Sequence, residues 1–164
     1  MLRDKNLIPL SRQHQHALAL CVRIDRASLI ADSHLDAWQA EMAQHFRAEI
    51  SVHFVAEETV LFPAARRFRE LNPLVDELLS DHTWLRKHFA DAEARKLSAE
   101  EIMTFARRLS DHIRREERQL FERLPQLIEP EEFAIIGGKL EQALKEADPS
   151  CALPSEITRL RPAK

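Results

Sequence analysis

The chain has 164 residues, 45% of them apolar and 31% charged, with 2 glycines, no tyrosine and a formal net charge of -3. This length suits one domain with a real core and is too short to suggest two. Interspersed charges of both signs argue against a nucleic-acid surface, no apolar run nears the ~20 residues that span a bilayer, and Cys21 and Cys151 share no metal-type spacing.

Few glycines and few aromatic residues favour long amphipathic helices over a sheet. Ser11 is placed to cap a first helix running to about Ala31, where Asp32-Ser33 interrupts the pattern. A second helix is predicted from Leu35 to Glu70, kinked or divided at Pro63 because proline removes a backbone donor. Asn72 followed by Pro73 reads as the cap and first residue of helix three. Ser98 with Glu101 forms a capping box for helix four, which should end near Pro125. A shorter fifth helix from about Glu131 carries Gly137-Gly138 as a weak point. Residues 1–147 form the predicted domain, and 148–164, with Pro149, Pro154 and Pro162, a loosely ordered tail. The fold class is therefore all-α: an antiparallel up-down-up-down four-helix bundle with a short fifth C-terminal helix.

The apolar stripes decide which polar residues face inward. Helix two reads Met42, Phe46, Ile50, His53, Glu57, Val60, Ala64; helix three reads Val75, Leu78, His82, Leu85, Phe89; helix four reads Ile102, Phe105, Leu109, His112, Glu116, Leu120. A His, and twice a Glu, stands where another leucine is expected. A buried carboxylate without a partner costs on the order of several kcal/mol, and a cation removes that cost. One His-x-x-x-Glu pair is common in helical proteins. Here the unit occurs twice, at His53…Glu57-Glu58…Leu61-Phe62 and His112…Glu116-Glu117…Leu120-Phe121, each preceded by a further inward histidine.

On helix one that histidine is His14 or His16. His14 aligns with Leu18 and Cys21, His16 with Leu20 and the charged Arg23, so His14 is preferred. Glu58 and Glu117 lie about 100° further round their helices and lean toward the rim as surface or supporting groups, with Glu117 the alternative to Glu116. His45 falls outside the repeat and reads as an ordinary residue; His34 and His88 read as solvated. Trp38 and Trp84 read as packing residues, and no Gly-rich phosphate loop, Cys-x-x-Cys or His-Glu-x-x-His motif is present.

Over about residues 7 to 147 the chain resembles the hemerythrin-like, His-His-Glu cation-binding domains. The resemblance is carried by Pro9-Leu10-Ser11-Arg12-Gln13-His14, by His53…Glu57-Glu58…Leu61-Phe62-Pro63, by Ser80-Asp81-His82 and by His112…Glu116-Glu117…Leu120-Phe121. It implies a left-turning antiparallel bundle around a non-haem di-iron centre, with His14, His53, Glu57, His82, His112 and Glu116 as ligands. His14 and His53 are then paired on one iron and His82 and His112 on the other, with Glu57 and Glu116 bridging, an oxo or hydroxo bridge, and an open position for O2, NO, peroxide or water. The same ligands also suit manganese or zinc.

Oxygen-carrying hemerythrins resemble this pattern but have a further His one turn after the third-helix ligand, where this chain has Arg86. The departure argues against O2 storage and toward six-ligand members, some linked to stress response or to repair of iron–sulfur centres. Such repair proteins carry an extra N-terminal domain not found in these residues. Arg86 itself either pairs with a bridging carboxylate or reaches past the core to solvent, the second being preferred.

The expected function is a di-iron protein that binds or senses O2, NO or peroxide or handles iron, a metal- and oxygen-binding protein more than an enzyme. The start, Met1-Leu2-Arg3-Asp4-Lys5-Asn6, lacks a signal-type apolar core, so a reducing cytoplasm is the expected compartment. Expected partners are a small diatomic ligand or peroxide, with neither nucleic acid nor membrane. The alternatives are a di-iron oxidoreductase or peroxidase, an iron-centre repair protein, and a non-catalytic helical interaction module whose inward His and Glu form only a polar network.

Overall fold

Asp4 caps the first helical turn. Its carboxylate accepts the Asn6 backbone N–H at 2.9 Å and caps a 3-10 turn, Lys5–Leu7, which runs directly into helix α1, Ile8–Arg26, with Pro9 in its first turn. The helix thus begins ahead of Ser11, which is not its cap; Ser11 Oγ instead donates to Glu117 Oε1 at 2.7 Å. The computed structural model describes residues 3–27, 30–147 and 154–159. Among these the structure is helical, without a strand, and α1 ends at Arg26, short of the expected Ala31.

Helix α2 covers residues 35–65 and is not uniform. Two π-helical turns, Phe46–Ile50 and Glu57–Leu61, interrupt α-helix at Leu35–His45, Ser51–Ala56 and Phe62–Ala65. Pro63 neither breaks the helix nor ends it: the wide turn before it lets the Phe62 N–H reach Glu57 O, and Ala65 closes the segment. The expected extension to Glu70 is replaced by a separate 3-10 turn, Arg69–Leu71. Helix α3 is Asn72–Glu93 with Pro73 in its first turn; Leu71 holds the cap position and Asn72 Oδ1 accepts no hydrogen bond, so Asn72 is not a side-chain cap. Helix α4, residues 99–127, opens on the expected capping box, the Glu101 N–H donating to Ser98 Oγ at 3.2 Å and the Ser98 N–H to Glu101 Oε2 at 2.8 Å. A third π turn, Glu116–Leu120, lies within it, and it passes Pro125 to end at Leu127.

Helix α5, Pro130–Ala143, runs unbroken through both glycines. Gly137 is a contact point and not a weak one. A Cβ there would lie 2.5 Å from Asn6 Oδ1 and 2.7 Å from Asn6 Cβ, whereas one at Gly138 meets nothing within 4 Å. Gly137→Ala is therefore expected to destabilise by about 1–3 kcal/mol. Gly138→Ala is expected to stabilise by up to about 1 kcal/mol. Urea unfolding at constant m checks both, and equal effects would contradict the contact.

The apolar interior falls into two clusters. The first holds Leu7 and Leu10, Leu61 and Phe62, Val75 and Leu78, Leu120 and Phe121, and the buried face of α5. The second holds Leu20 and Ile24, Trp38 and Met42, Leu85 and Phe89, Phe105 and Leu109. Following the chain, α1 meets the first cluster and then the second, α2 the second and then the first, α3 the first and then the second, and α4 the second and then the first. Each helix passes from one to the other at a histidine.

A smaller polar group lies at the second cluster's end. Arg23 pairs with Glu41 and donates through Nη1 to Thr158 O at 3.1 Å, which seats the described part of the tail, 154–159, on α1. The rest of the expected tail, 148–153 and 160–164, lies outside the described residues. His45, buried and clear of the repeat as expected, has Nε2 3.6 Å from Glu41 Oε1. Burial opposes ionisation of Glu41, but His45 and Arg23 outweigh it and hold the carboxyl at about 2, against 4.5 ordinarily. A depressed carboxyl stabilises the fold above about pH 4.5 and loses that contribution as pH falls toward about 2. In chelator, Glu41→Gln is expected to be less stable than wild type at pH 7, and the difference to shrink across that window. A difference independent of pH in urea titrations would refute it.

Candidate metal centre

The polar layer between the two apolar clusters contains all six residues singled out from the sequence. His14 comes from α1, His53 and Glu57 from α2, His82 from α3, and His112 and Glu116 from α4; none is more than 4% exposed. Their donor atoms form two groups, His14/His53/Glu57/Glu116 and Glu57/His82/His112/Glu116, each with all atoms within 4.8 Å of one another. His14 and not His16 belongs to the first. His16 is half exposed and bonds Glu49 Oε1 at 3.0 Å.

The two glutamates are common to both groups, one oxygen on each side. Glu57 places Oε1 3.2 Å from His53 Nε2 and Oε2 3.4 Å from His82 Nε2. Glu116 places Oε2 3.1 Å from His14 Nε2 and Oε1 3.3 Å from His112 Nε2. Across each side the imidazoles also converge, His14 Nε2 to His53 Nε2 at 3.0 Å and His82 Nε2 to His112 Nε2 at 3.2 Å. Ligands held at roughly 2.1 Å from a common ion at right angles lie about 3 Å apart, so the spacing fits a metal.

The outer ring atoms explain why Nε2 faces inward. His14 Nδ1 bonds Glu117 Oε1 at 2.7 Å, His82 Nδ1 bonds Glu58 Oε1 at 2.8 Å, and His53 Nδ1 bonds Gln13 Oε1 at 2.8 Å. His112 Nδ1 faces Asp81 Oδ2 at 3.4 Å. With acceptors bonded at Nδ1 of His14, His53 and His82, the ring proton belongs there, which leaves a lone pair on Nε2. All four inward carboxylate oxygens of Glu57 and Glu116 are buried with no hydrogen-bond partner. This is a donor set without donors of its own protons, the chemistry a cation completes.

Electrostatics agree. Burial opposes the charged form of His14, but the Glu116 and Glu117 carboxylates beside it overcome that and raise the ring to about 10. Burial, then the neighbouring His14, pushes His53 down to about 3. Burial and the adjacent Glu116 raise Glu57, while His112 and His14 hold Glu116 low against its own burial.

The doubled Glu-Glu divides its work: the first of each pair turns inward and the second reaches the histidine of a neighbouring helix. Glu58 of α2 supports His82 of α3, and Glu117 of α4 supports His14 of α1. Arg86 corrects the sequence expectation. It does not run free to solvent but donates through Nη1 to Glu58 Oε1 at 2.7 Å. Arg3 pairs with Glu117, and Asp81 accepts from Arg108 Nε at 3.0 Å and Arg115 Nη2 at 2.6 Å. Gln13 and Asp81 went unnoticed as partners of the histidines, although each directly precedes one in the sequence. Of the residues set aside, His34 is exposed, His88 stacks on Trp84 with centroids 3.5 Å apart, and Trp38 is buried in the second cluster.

Glu57 and Glu116 each open a π turn, a feature that recurs at functional sites. The wider turn buries two consecutive residues below each carboxylate, Leu61-Phe62 and Leu120-Phe121. Paired large apolar residues one turn after each Glu were the visible sign of it.

No helix among the described residues is long and apolar enough to cross a membrane. No curated protein and no solved structure gives a significant match. The family model for the hemerythrin HHE cation binding domain matches residues 9–124 and so spans all six clustered residues; the chain belongs to that family.

Proposed function

We propose that this is a non-haem di-iron protein that binds or senses O2, NO or peroxide. His14 and His53 would hold one ion and His82 and His112 the other, with Glu57 and Glu116 shared between them, in an antiparallel up-down-up-down bundle. The alternating order in which α1 to α4 meet the two apolar clusters supports that topology. The observation carrying the metal reading is the convergence of four Nε2 atoms and four partnerless carboxylate oxygens, while three of the four outer ring nitrogens are hydrogen-bonded to acceptors. Each position would offer two nitrogens and two oxygens, and iron bound there would supply redox chemistry and a place for a small ligand.

Ligand size follows from the surroundings. A cavity of about 10 Å³ borders His14, His53 and His112, with Ala17, Ile50 and Leu109 among its walls. That is room on the order of one water molecule, which favours a diatomic ligand or peroxide over an organic substrate. Protein purified without chelator is expected to carry about two irons per chain with visible absorption of a coupled ferric pair. Less than half an iron on folded protein would overturn the reading.

A further inference from the structure

We infer that the two ion positions are unequal, and that Gln13 makes the one built on His14 and His53 the weaker. The inference rests on the two-ion reading above. Two of the four imidazoles hydrogen-bond a carboxylate at Nδ1, His14 to Glu117 at 2.7 Å and His82 to Glu58 at 2.8 Å, and a third, His112, has Asp81 Oδ2 at ion-pair distance, 3.4 Å from its Nδ1, without a hydrogen bond. His53 alone faces a neutral group, Gln13 Oε1 at 2.8 Å.

A carboxylate at Nδ1, hydrogen-bonded as Glu58 and Glu117 are or at ion-pair distance as Asp81 is, lends negative charge to the ring and makes Nε2 a stronger donor; an amide oxygen lends only a dipole. The position of His82 and His112 is therefore backed by two carboxylates, the position of His14 and His53 by one. Arginines hold those carboxylates in place, Arg86 on Glu58 and Arg108 with Arg115 on Asp81. Glu57 and Glu116 are shared, so they do not distinguish the two sides. Gln13 touches no ion and acts through His53, setting its donor strength and ring orientation.

The test loads the protein with ferrous iron without oxygen and follows release to excess ferrozine. Wild type is expected to lose iron in two equal phases differing at least about tenfold in rate. Gln13→Glu should slow the fast phase by about tenfold or more and leave the slow phase in place. Glu58→Gln should do the reverse, speeding the slow phase, with helicity by circular dichroism unchanged in both. A single phase in wild type, or a fast phase indifferent to Gln13→Glu, overturns the inference while the two-ion reading stands. A packing role for Gln13 predicts that Gln13→Glu speeds release, which also overturns it. Fewer than two irons loaded defeats the two-ion reading first, and the inference with it.

Discussion

Glu116→Gln is expected to abolish stable binding of both ions, whereas His82→Ala is expected to release only one. Glu116 gives Oε2 to the His14 side at 3.1 Å and Oε1 to the His112 side at 3.3 Å. Glutamine keeps the volume, but one of its two inward atoms is an amide nitrogen that does not ligate, and the negative charge shared by both ions is gone. Affinity at each position should fall at least about 100-fold, more than loss of an outer partner costs. His82 serves one side only, and the other keeps its two imidazoles and both carboxylates. Metal content after gel filtration reads the outcome. Two ions retained by Glu116→Gln would show that the carboxylate is not shared.

Stripping the ions from wild type is expected to lower its melting temperature by about 10–20 °C, from about 5 kcal/mol of lost stability at 2–4 °C per kcal/mol. Removal leaves Glu57 and Glu116 side by side in a layer where their four oxygens find no hydrogen bond. The double variant His53→Leu, Glu57→Leu should be insensitive to the same chelator, because apolar replacements of a buried polar group keep or raise stability. Calorimetry with and without chelator compares the two. An unchanged wild-type melting temperature would reduce the layer to a polar network and favour the interaction-module reading.

Much of this centre was legible because the period of a helix is strict. Three and four residues return to the same face, so His53, Glu57, His82, His112 and Glu116 could be placed inward from the leucines and phenylalanines beside them. His14 was separable from His16 on the same ground, and its burial agrees. The Ser98–Glu101 cap was equally visible, since its partners are local. What escaped depended on distant neighbours or on wider turns. Ser11 resembled a cap, yet Asp4 with Pro9 began the helix earlier and freed Ser11 for Glu117, more than a hundred residues away. Pro63 resembled a break, but the π turn ahead of it changed which carbonyl needed a partner. Arg86 resembled a solvent residue until its helix was set beside Glu58.

The layer at which α1 to α4 change cluster has a consequence for how the molecule opens. It separates two greasy compartments of eighteen buried side chains each among the described residues, and bodies that small have little stability apart. Ions bound at the boundary, as proposed, would make them melt as one unit. Without the ions, the compartment capped by α5 and the one holding Trp38 are free to breathe on separate clocks, and deuterium should enter their amides at two different rates.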